Sequence, residues 1–154
     1  MSFFTRFRSL WKISAESSVY VGFIDGPSHH TQNSASVAWV IYTRTGQVLS
    51  SGGICLQPSP NNVVEYSVMI DLLCDAISHG VHSVEVHLAL QLVVSQLNGL
   101  YHVTDPTLLQ RFLCGILLER KFESITYIHI PRNFNQVPDS YANYVLDWHL
   151  FHRS

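Results

Sequence analysis

The chain has few charged side chains. Asp, Glu, Lys and Arg make up 13% of its 154 residues, against about a quarter in a typical soluble domain. Nine Lys and Arg oppose eleven Asp and Glu, so the net charge is -2 with nine histidines neutral. Proteins that bind nucleic acid through many phosphate contacts usually carry a cationic excess. The composition gives no sign of strong non-specific binding and leaves room only for a local basic patch.

Cysteines and long apolar runs are also scarce. Cys55, Cys74 and Cys114 are odd in number and form no CxxC motif. Their apolar surroundings predict reduced thiols in the core, and reduced thiols favour an intracellular address, in the cytoplasm or nucleus. No apolar run reaches the ~18 residues needed to span a membrane. Apolar residues make up 47% of the chain, enough for the core of a single domain.

The first eighteen residues differ from the rest. Apolar side chains recur there at near-helical spacing, namely Phe3, Phe4, Phe7, Leu10, Trp11 and Ile13. Three cations, Arg6, Arg8 and Lys12, lie between them, and no acid precedes Glu16. This pattern fits a mitochondrial targeting helix, a membrane-surface helix, a linker from a larger polyprotein or a helix docked on the domain. We favour a linker or docked segment over residues 1–18, a domain over 19–150 and a tail over 151–154.

Apolar periodicity and turn residues divide the domain into strands and helices. The predicted strands are residues 18–24, 36–43, 48–56, 83–88 and 124–130. The predicted helices begin at Asn61 or Asn62, at Leu92, at Pro106 and at Pro138, where Asn and Pro suit a helix start. The first three strands follow one another through turns and predict an antiparallel meander. The later alternation predicts an α/β fold, a five-stranded mixed sheet with helices on its faces.

Two local features carry further predictions. Residues 29–34 are polar and predict a turn. Gly52 and Gly53 lie inside the third strand, where glycine indicates a bulge or a close approach of another group.

Four motifs carry a resemblance to a known family. They are Asp25-Gly26-x-Ser28, Asn61-Asn62-x-x-Glu65-Tyr66, Leu92-Val93-Val94-x-Gln96-Leu97-Asn98-Gly99 and Pro131-Arg132-x-x-Asn135-x-x-x-Asp139-x-x-Ala142-Asn143. In this order they resemble the type I ribonuclease H domains, over residues 19–150, with Pro138 and Tyr141 as departures. The details are most similar to the archaeal-type domains of plant long-terminal-repeat retrotransposons.

The resemblance implies an RNase H-like fold and a reaction. The family cuts the RNA strand of RNA/DNA hybrids with two magnesium ions. Two metals about 3.5–4 Å apart neutralise charge on the attacking and leaving oxygens, and magnesium prefers carboxylate oxygens. By resemblance, Asp25 would bridge both metals, Glu65 would bind one metal near the RNA 2'-hydroxyl, and Asp139 would bind the metal that carries the nucleophilic water.

The resemblance also implies nucleic-acid contacts at Ser28, Asn61, Asn62, Gln96, Arg132 and Asn135. All of them except Ser28 have an ordinary alternative. The two Asn residues are also candidate helix caps, Gln96 is also a candidate solvated helix residue, and Arg132 and Asn135 also suit a role in holding their loop together.

The fourth acid of the family is missing. Its Gly-Asp-Ser motif falls on Leu88, Ala89 and Leu90, and alanine offers no side-chain oxygen. All three residues differ from the motif, which favours natural decay or repurposing over a designed knockout. Strand alternation places His87 on the same side as Ala89, and imidazole suits manganese or zinc better than magnesium. An ordinary strand histidine is the default interpretation of His87.

Three functions follow as alternatives. The first is an RNase H-like domain with lost or strongly reduced nuclease activity, kept as a nucleic-acid-binding or structural module, alone or in a retroelement polyprotein, with weakened Mg²⁺ or Mn²⁺ binding. The second is a working hybrid endonuclease that tolerates Ala89. The third is a protein-interaction module.

The pairs His79-x-x-His82 and His149-x-x-His152 lack cysteine partners and predict no zinc site.

Overall fold

The structure is a computed structural model that describes residues 18–25, 30–31 and 34–130. For residues 25, 30–31 and 34–36 it describes the backbone alone. Several predictions lie outside the described residues. They concern Ser28, Arg132, Asn135, Asp139, the helix predicted at Pro138, the tail over 151–154 and the N-terminal segment before Ser18.

The described residues form six strands and three helices. The strands are β1 (Tyr20–Asp25), β2 (His30–Thr31), β3 (Ser34–Tyr42), β4 (Val48–Leu56), β5 (Ser83–Leu88) and β6 (Ser124–His129). The helices are α1 (Asn61–Ser78), α2 (Gln91–Leu97) and α3 (Pro106–Glu119). The five strands and three of the helices predicted from the sequence are confirmed in order. The turn predicted over residues 29–34 is wrong in part, because β2 pairs there with the start of β3.

Five strands form a mixed sheet in the order β4-β3-β1-β5-β6. β3 runs antiparallel to β1 and β4, so the predicted meander is confirmed. β5 runs parallel to both β1 and β6. Parallel neighbours end at the same edge of a sheet, which is where α/β proteins usually bind ligands.

The carboxyl edge of β1 and β5 brings two of the predicted site positions to one level. Phe23 lies beside His87 in the parallel ladder. Continuing that register by two residues brings the backbone of Asp25 level with Ala89. The fold therefore places the first acid of the predicted site beside the position that lacks one.

Apolar side chains cover both faces of the sheet. α1 buries eight residues, namely Val64, Glu65, Tyr66, Val68, Met69, Leu72, Leu73 and Ala76. Its apolar members pack with Val84, Val86 and Leu88 of β5. A second cluster on the other side of the strands comprises Val21, Phe23, Tyr42 and Ile130. Burying one large aliphatic side chain contributes about 1.5–3 kcal/mol, so this double-sided core holds the carboxyl edge in place.

A polar contact joins α1 to the β3–β4 hairpin. Asp75 Oδ2 accepts hydrogen bonds from Trp39 Nε1 at 2.9 Å and from Ser50 Oγ at 2.7 Å. A Cβ on Gly52 would overlap the Trp39 ring, so the predicted close approach is confirmed. The bulge lies elsewhere in this strand pair, between Ile41 and Tyr42.

The cysteines differ from prediction. Cys55, Cys74 and Cys114 are free but exposed, so their predicted place in the core is wrong. The reason is their orientation, because Cys55 points outward from β4 in alternation with half-buried neighbours. Apolar neighbours in sequence do not tell which face a residue takes.

No helix among the described residues combines the length and the apolarity that crossing a bilayer requires.

Candidate active site

Glu65 lies in the second turn of α1 and is 1% exposed. The helix begins after Pro60, and no side chain caps it. The predicted caps are therefore wrong, since the amide oxygen of Asn62 accepts instead from the adjacent Val63 N–H at 2.8 Å. A buried carboxylate requires hydrogen-bond donors, because burying an unpaired charge is very costly.

Those donors come from the residues just before α2. Glu65 Oε1 accepts from the Ala89 N–H at 2.5 Å, and Glu65 Oε2 accepts from the Leu90 N–H at 3.0 Å. Leu90 is the N-cap of α2 and has no side-chain acceptor. The first N–H groups of a helix have no acceptor within the helix itself. At the start of α2 the Glu65 carboxylate supplies that acceptor for the N–H groups of Ala89 and Leu90. A negative charge is also favourable at this end of a helix.

Ala89 is held at its carbonyl as well. His129, the last residue of β6, donates from Nε2 to the Ala89 oxygen at 3.1 Å. The acceptor is a carbonyl, so Nε2 must carry the proton. Both backbone polar groups of Ala89 are thereby engaged, and its side chain is 8% exposed. His129 was not singled out from the sequence, and only the pairing of Leu88 with His129 in the sheet reveals it.

Asp25 ends β1, where its backbone pairs with Ala38. Together with the contact from Glu65 to Ala89, this brings two acidic positions and the missing one to a single edge. The third acid, Asp139, lies outside the described residues. Within residues 18–130, as far as they are described, no group of three His, Cys, Asp or Glu side chains is placed to hold a metal ion.

Of the three acids that the family pattern assigns to the metals, the structure describes the side chain of Glu65 alone. Glu65 already accepts from two backbone N–H groups, and the Ala89 side chain supplies no oxygen. Coordination of a metal by Glu65 would have to weaken or replace those hydrogen bonds. The loss of one such bond to a charged group costs about 1.5–3 kcal/mol.

His87 is fully buried, at 0% exposure. Its ring centroid lies 4.6 Å from that of Phe23, and its Nε2 lies 3.8 Å from Glu85 Oε2. A ring packed in this way beneath the sheet edge is poorly placed to bind an ion at that edge. The packing favours the structural interpretation of His87 over the metal-binding one.

Tyr66 and Gln96 join α1 to α2. The Tyr66 hydroxyl donates to Gln96 Oε1 at 2.7 Å, and both side chains are buried. Burial, with the nearby charge of Glu65, raises the pKa of Tyr66 to about 12. The alternative of a solvated Gln96 is wrong. At 5% exposure, Gln96 also has little surface to offer a nucleic acid.

Other polar groups near the edge remain accessible. Asn61 is exposed and Asn62 is half-buried in the first turn of α1. Gln91, the first residue of α2, is exposed, and its Nε2 donates to Ser95 Oγ at 3.0 Å. Gln91 was not singled out from the sequence, although it lies only two residues after Ala89, the position of the missing acid.

The profile of a family described as "Reverse transcriptase-like" matches residues 23–145. The chain belongs to this family, as an RNase H-like domain. This domain is 31% identical over 125 residues to ribonuclease HI of Halobacterium salinarum, covering 81% of the chain and 63% of that protein. It is 32% identical over 124 residues to a bifunctional protein of Mycobacterium tuberculosis, covering 80% and 34%. The chain therefore spans less than two thirds of either relative.

Solved structures agree with the fold. The crystal structure of the Halobacterium salinarum RNase H1 superposes on this RNase H-like domain with a TM-score of 0.70 at 30% identity, covering 84% of this chain and 98% of that one. LC11-RNase H1, from a compost metagenome and crystallised with an RNA/DNA hybrid, gives 0.69 at 28% identity, covering 85% and 99%. The predicted fold, a five-stranded mixed sheet with helices, is confirmed.

Proposed function

We propose that this RNase H-like domain binds an RNA/DNA hybrid or a related nucleic acid and cleaves it weakly or not at all. The observation that carries the proposal is the Glu65 carboxylate. It is bound to the N–H groups of Ala89 and Leu90, at the position where the family pattern has an acid. The substrate class is supported by the RNA/DNA hybrid bound to the similar LC11-RNase H1.

The proposed chemistry is weakened at the metal. A divalent ion, magnesium or manganese, would supply charge neutralisation at the scissile phosphate. The residues proposed to hold it are Asp25, Glu65 and Asp139. Glu65 stabilises the start of α2 through its backbone hydrogen bonds. A metal ion that binds Glu65 would have to break those bonds, which lowers the net free energy of metal binding. We therefore expect weak metal affinity and little tendency to hold two ions together.

Nucleic-acid contact is proposed for the accessible polar groups of this edge. Asn61 and Asn62 are the described candidates, with Ser28, Arg132 and Asn135 as proposals from the family pattern. Gln96 contributes indirectly, by fixing α2 against α1 through Tyr66. With nine Lys and Arg in the chain, binding should be weak and should fall as salt rises, because counterion release drives phosphate contacts.

Cleavage of a labelled RNA/DNA hybrid tests the proposal. The wild-type chain should cut slowly or not at all in magnesium, and Ala89→Asp should increase the rate. Ala89→Asn is the matched control, since it has nearly the same size without the charge. Efficient cutting by the wild type, abolished by Asp25→Asn, would overturn the proposal in favour of a working hybrid ribonuclease. In that case, Ala89→Asp would leave the rate unchanged.

A second candidate is a protein-interaction module without nucleic-acid binding. One observation favours it, the row of exposed leucines on α3. A hybrid-binding titration over a range of salt concentrations separates the two functions. Binding that weakens with salt supports the nucleic-acid module, whereas no binding even at low salt supports the interaction module.

The origin and cellular address are proposals as well. The motif details support descent from a plant-type retroelement, in which the chain would sit in a larger polyprotein. The reduced thiols favour the cytoplasm or nucleus, and the cationic N-terminal segment keeps a mitochondrial address open. Imaging of a C-terminally tagged chain distinguishes these compartments.

A further inference from the structure

The outer side of α3 carries a row of exposed leucines. Leu109, Leu113 and Leu117 recur every four residues and are 37%, 51% and 59% exposed. The helix buries only Leu108 and Gly115, and a Cβ on Gly115 would come within 2.9 Å of Met69 Cε on α1. The opposite side of α3 therefore packs against α1. A contiguous apolar row on a surface indicates an interaction site, and we name these three residues the leucine row.

An acidic group lies beside the leucine row, at the seam between α1 and α3. Arg111 Nε donates to Ser67 Oγ at 3.0 Å across this seam, and Asp71 lies one turn further along α1. Burial, together with the nearby Asp71 and Cys114, raises the pKa of Cys74, and Asp71 and Cys74 lie one turn apart on α1. Burial raises the pKa of Asp71, and no Lys or Arg in the described part of the chain forms an ion pair with it.

We propose that the N-terminal segment, residues 3–13, docks as a helix on the leucine row, with its cations near Asp71. The segment has the complementary chemistry. Its apolar side chains recur at helical spacing, and it carries three cations and no acid. The N-terminal segment therefore has one apolar side flanked by cations. The leucine row is apolar, and the carboxylate of Asp71 at its border has no Lys or Arg ion-pair partner among the described residues.

The geometry of the sheet places the segment within reach. Tyr20 pairs with Val84 and Ser83 pairs with Ser124, so β1, β5 and β6 start at the same end of the sheet. α3 ends at Glu119, five residues before β6. Two strand spacings separate β1 from β6, about 10 Å, and α3 lies against α1 in the helix layer, so the segment must also rise by about one helix diameter, about 10 Å. The two displacements combine to about 14 Å, and the five residues 14–18 reach up to about 17 Å. A helix over residues 3–13 is about 16 Å long, against about 12 Å for the leucine row.

A crosslinking experiment on the full chain tests the docking. Cys55→Ser and Cys74→Ser leave Cys114, next to Leu113, as the only native thiol. Leu10→Cys then introduces a thiol on the apolar face of the segment. Ser9→Cys introduces one on the opposite face, one residue away, as the matched control. A short bismaleimide should give about tenfold more intramolecular product with Leu10→Cys, a ratio that corresponds to about 1.4 kcal/mol of preference.

Other outcomes overturn the proposal. Equal crosslinking of the two variants, or none in either, means that the segment does not dock on α3. A product that is mainly intermolecular means that a second copy covers the leucine row. Sedimentation of the chain with anionic lipid vesicles, without intramolecular product, means that the segment binds a membrane surface instead.

A second readout uses the Cys55→Ser, Cys74→Ser chain, in which Cys114 is the only thiol. Leu10→Asp should expose Cys114 and speed its labelling by a maleimide several-fold, whereas Ser9→Asp should leave the rate at the value of the parent chain. The same rate in all three proteins overturns the docking. Thermal melts confirm that each variant is folded before labelling, and positions 9 and 10 precede the described core.

Discussion

Replacement of Glu65 by alanine removes the acceptor of two backbone hydrogen bonds at the start of α2. The Ala89 and Leu90 N–H groups then lose their carboxylate. Hydrogen bonds to a charged group contribute about 1.5–3 kcal/mol each, and a buried donor left unsatisfied costs about 1–3 kcal/mol. Relief from burying a carboxylate offsets part of this loss. We therefore expect Glu65→Ala to lower the free energy of unfolding by about 2–4 kcal/mol.

The sign of that change distinguishes two roles of Glu65. A carboxylate held only for metal binding lies near other acids, and its removal usually stabilises the metal-free protein, because functional sites trade stability for activity. If the carboxylate instead stabilises the start of α2, its removal must destabilise the protein. Glu65→Gln keeps one acceptor oxygen and should fall between the wild type and Glu65→Ala.

Urea denaturation in EDTA measures this difference. The expected loss corresponds to a fall in Tm of roughly 5–15 °C for a domain of this size. Glu123→Ala, at an exposed position before β6, is the control and should change stability by less than about 0.5 kcal/mol. Unchanged or increased stability of Glu65→Ala would refute the structural role assigned to the carboxylate.

The remaining predictions concern the contacts that hold the sheet to α1. Burial alone raises the pKa of Asp75, but hydrogen bonds from Trp39 and Ser50, with the nearby His79, outweigh it and hold that pKa below its ordinary value of 3.8. The stability that Asp75 contributes is therefore present above pH 3.8 and is lost as pH falls through the lower folded pKa. Melts of the wild type and of Asp75→Asn between pH 2 and 7 should converge only at the acidic end, and a constant gap would contradict this. Gly52→Ala would press a methyl group into the Trp39 ring and should cost about 1–3 kcal/mol in urea denaturation, whereas a neutral result would mean that the ring has room to move. Tyr66→Phe removes the buried donor to Gln96 and should cost about 1–3 kcal/mol, and an unchanged urea midpoint would show that water replaces the hydroxyl.

The element order was predictable because it depends on local patterns. Alternation in β3 and β4 and helical spacing in α1 are properties of neighbouring residues. The short β2 escaped prediction because His30 and Thr31 are polar, and only pairing with Ala35 and Ser34 makes them a strand.

The sequence motifs predicted which residues belong to the candidate site, but not how those residues contact one another. The family pattern assigned Glu65 and Ala89 to one site, and in the structure the Glu65 carboxylate accepts from the Ala89 N–H. Their direct contact was missed, because it depends on how the backbone turns from β5 into α2. His129 was missed because its place beside Ala89 follows from the β5–β6 register.

The burial of Gln96 depends on how α2 is rotated against α1, and the exposure of Cys74 and Cys114 depends in the same way on the rotation of α1 and α3. The exposure of Cys55 depends instead on which face of β4 it takes. α2 spans only seven residues, too few for its apolar period to fix which side faces α1.

A crystal structure of the full chain grown with manganese would locate bound ions by their anomalous signal. We expect no pair of ions at the carboxyl edge, with the Glu65 carboxylate still bound to the N–H groups of Ala89 and Leu90. Two ions held jointly by Asp25, Glu65 and Asp139, with Glu65 turned away from that backbone, would contradict this expectation.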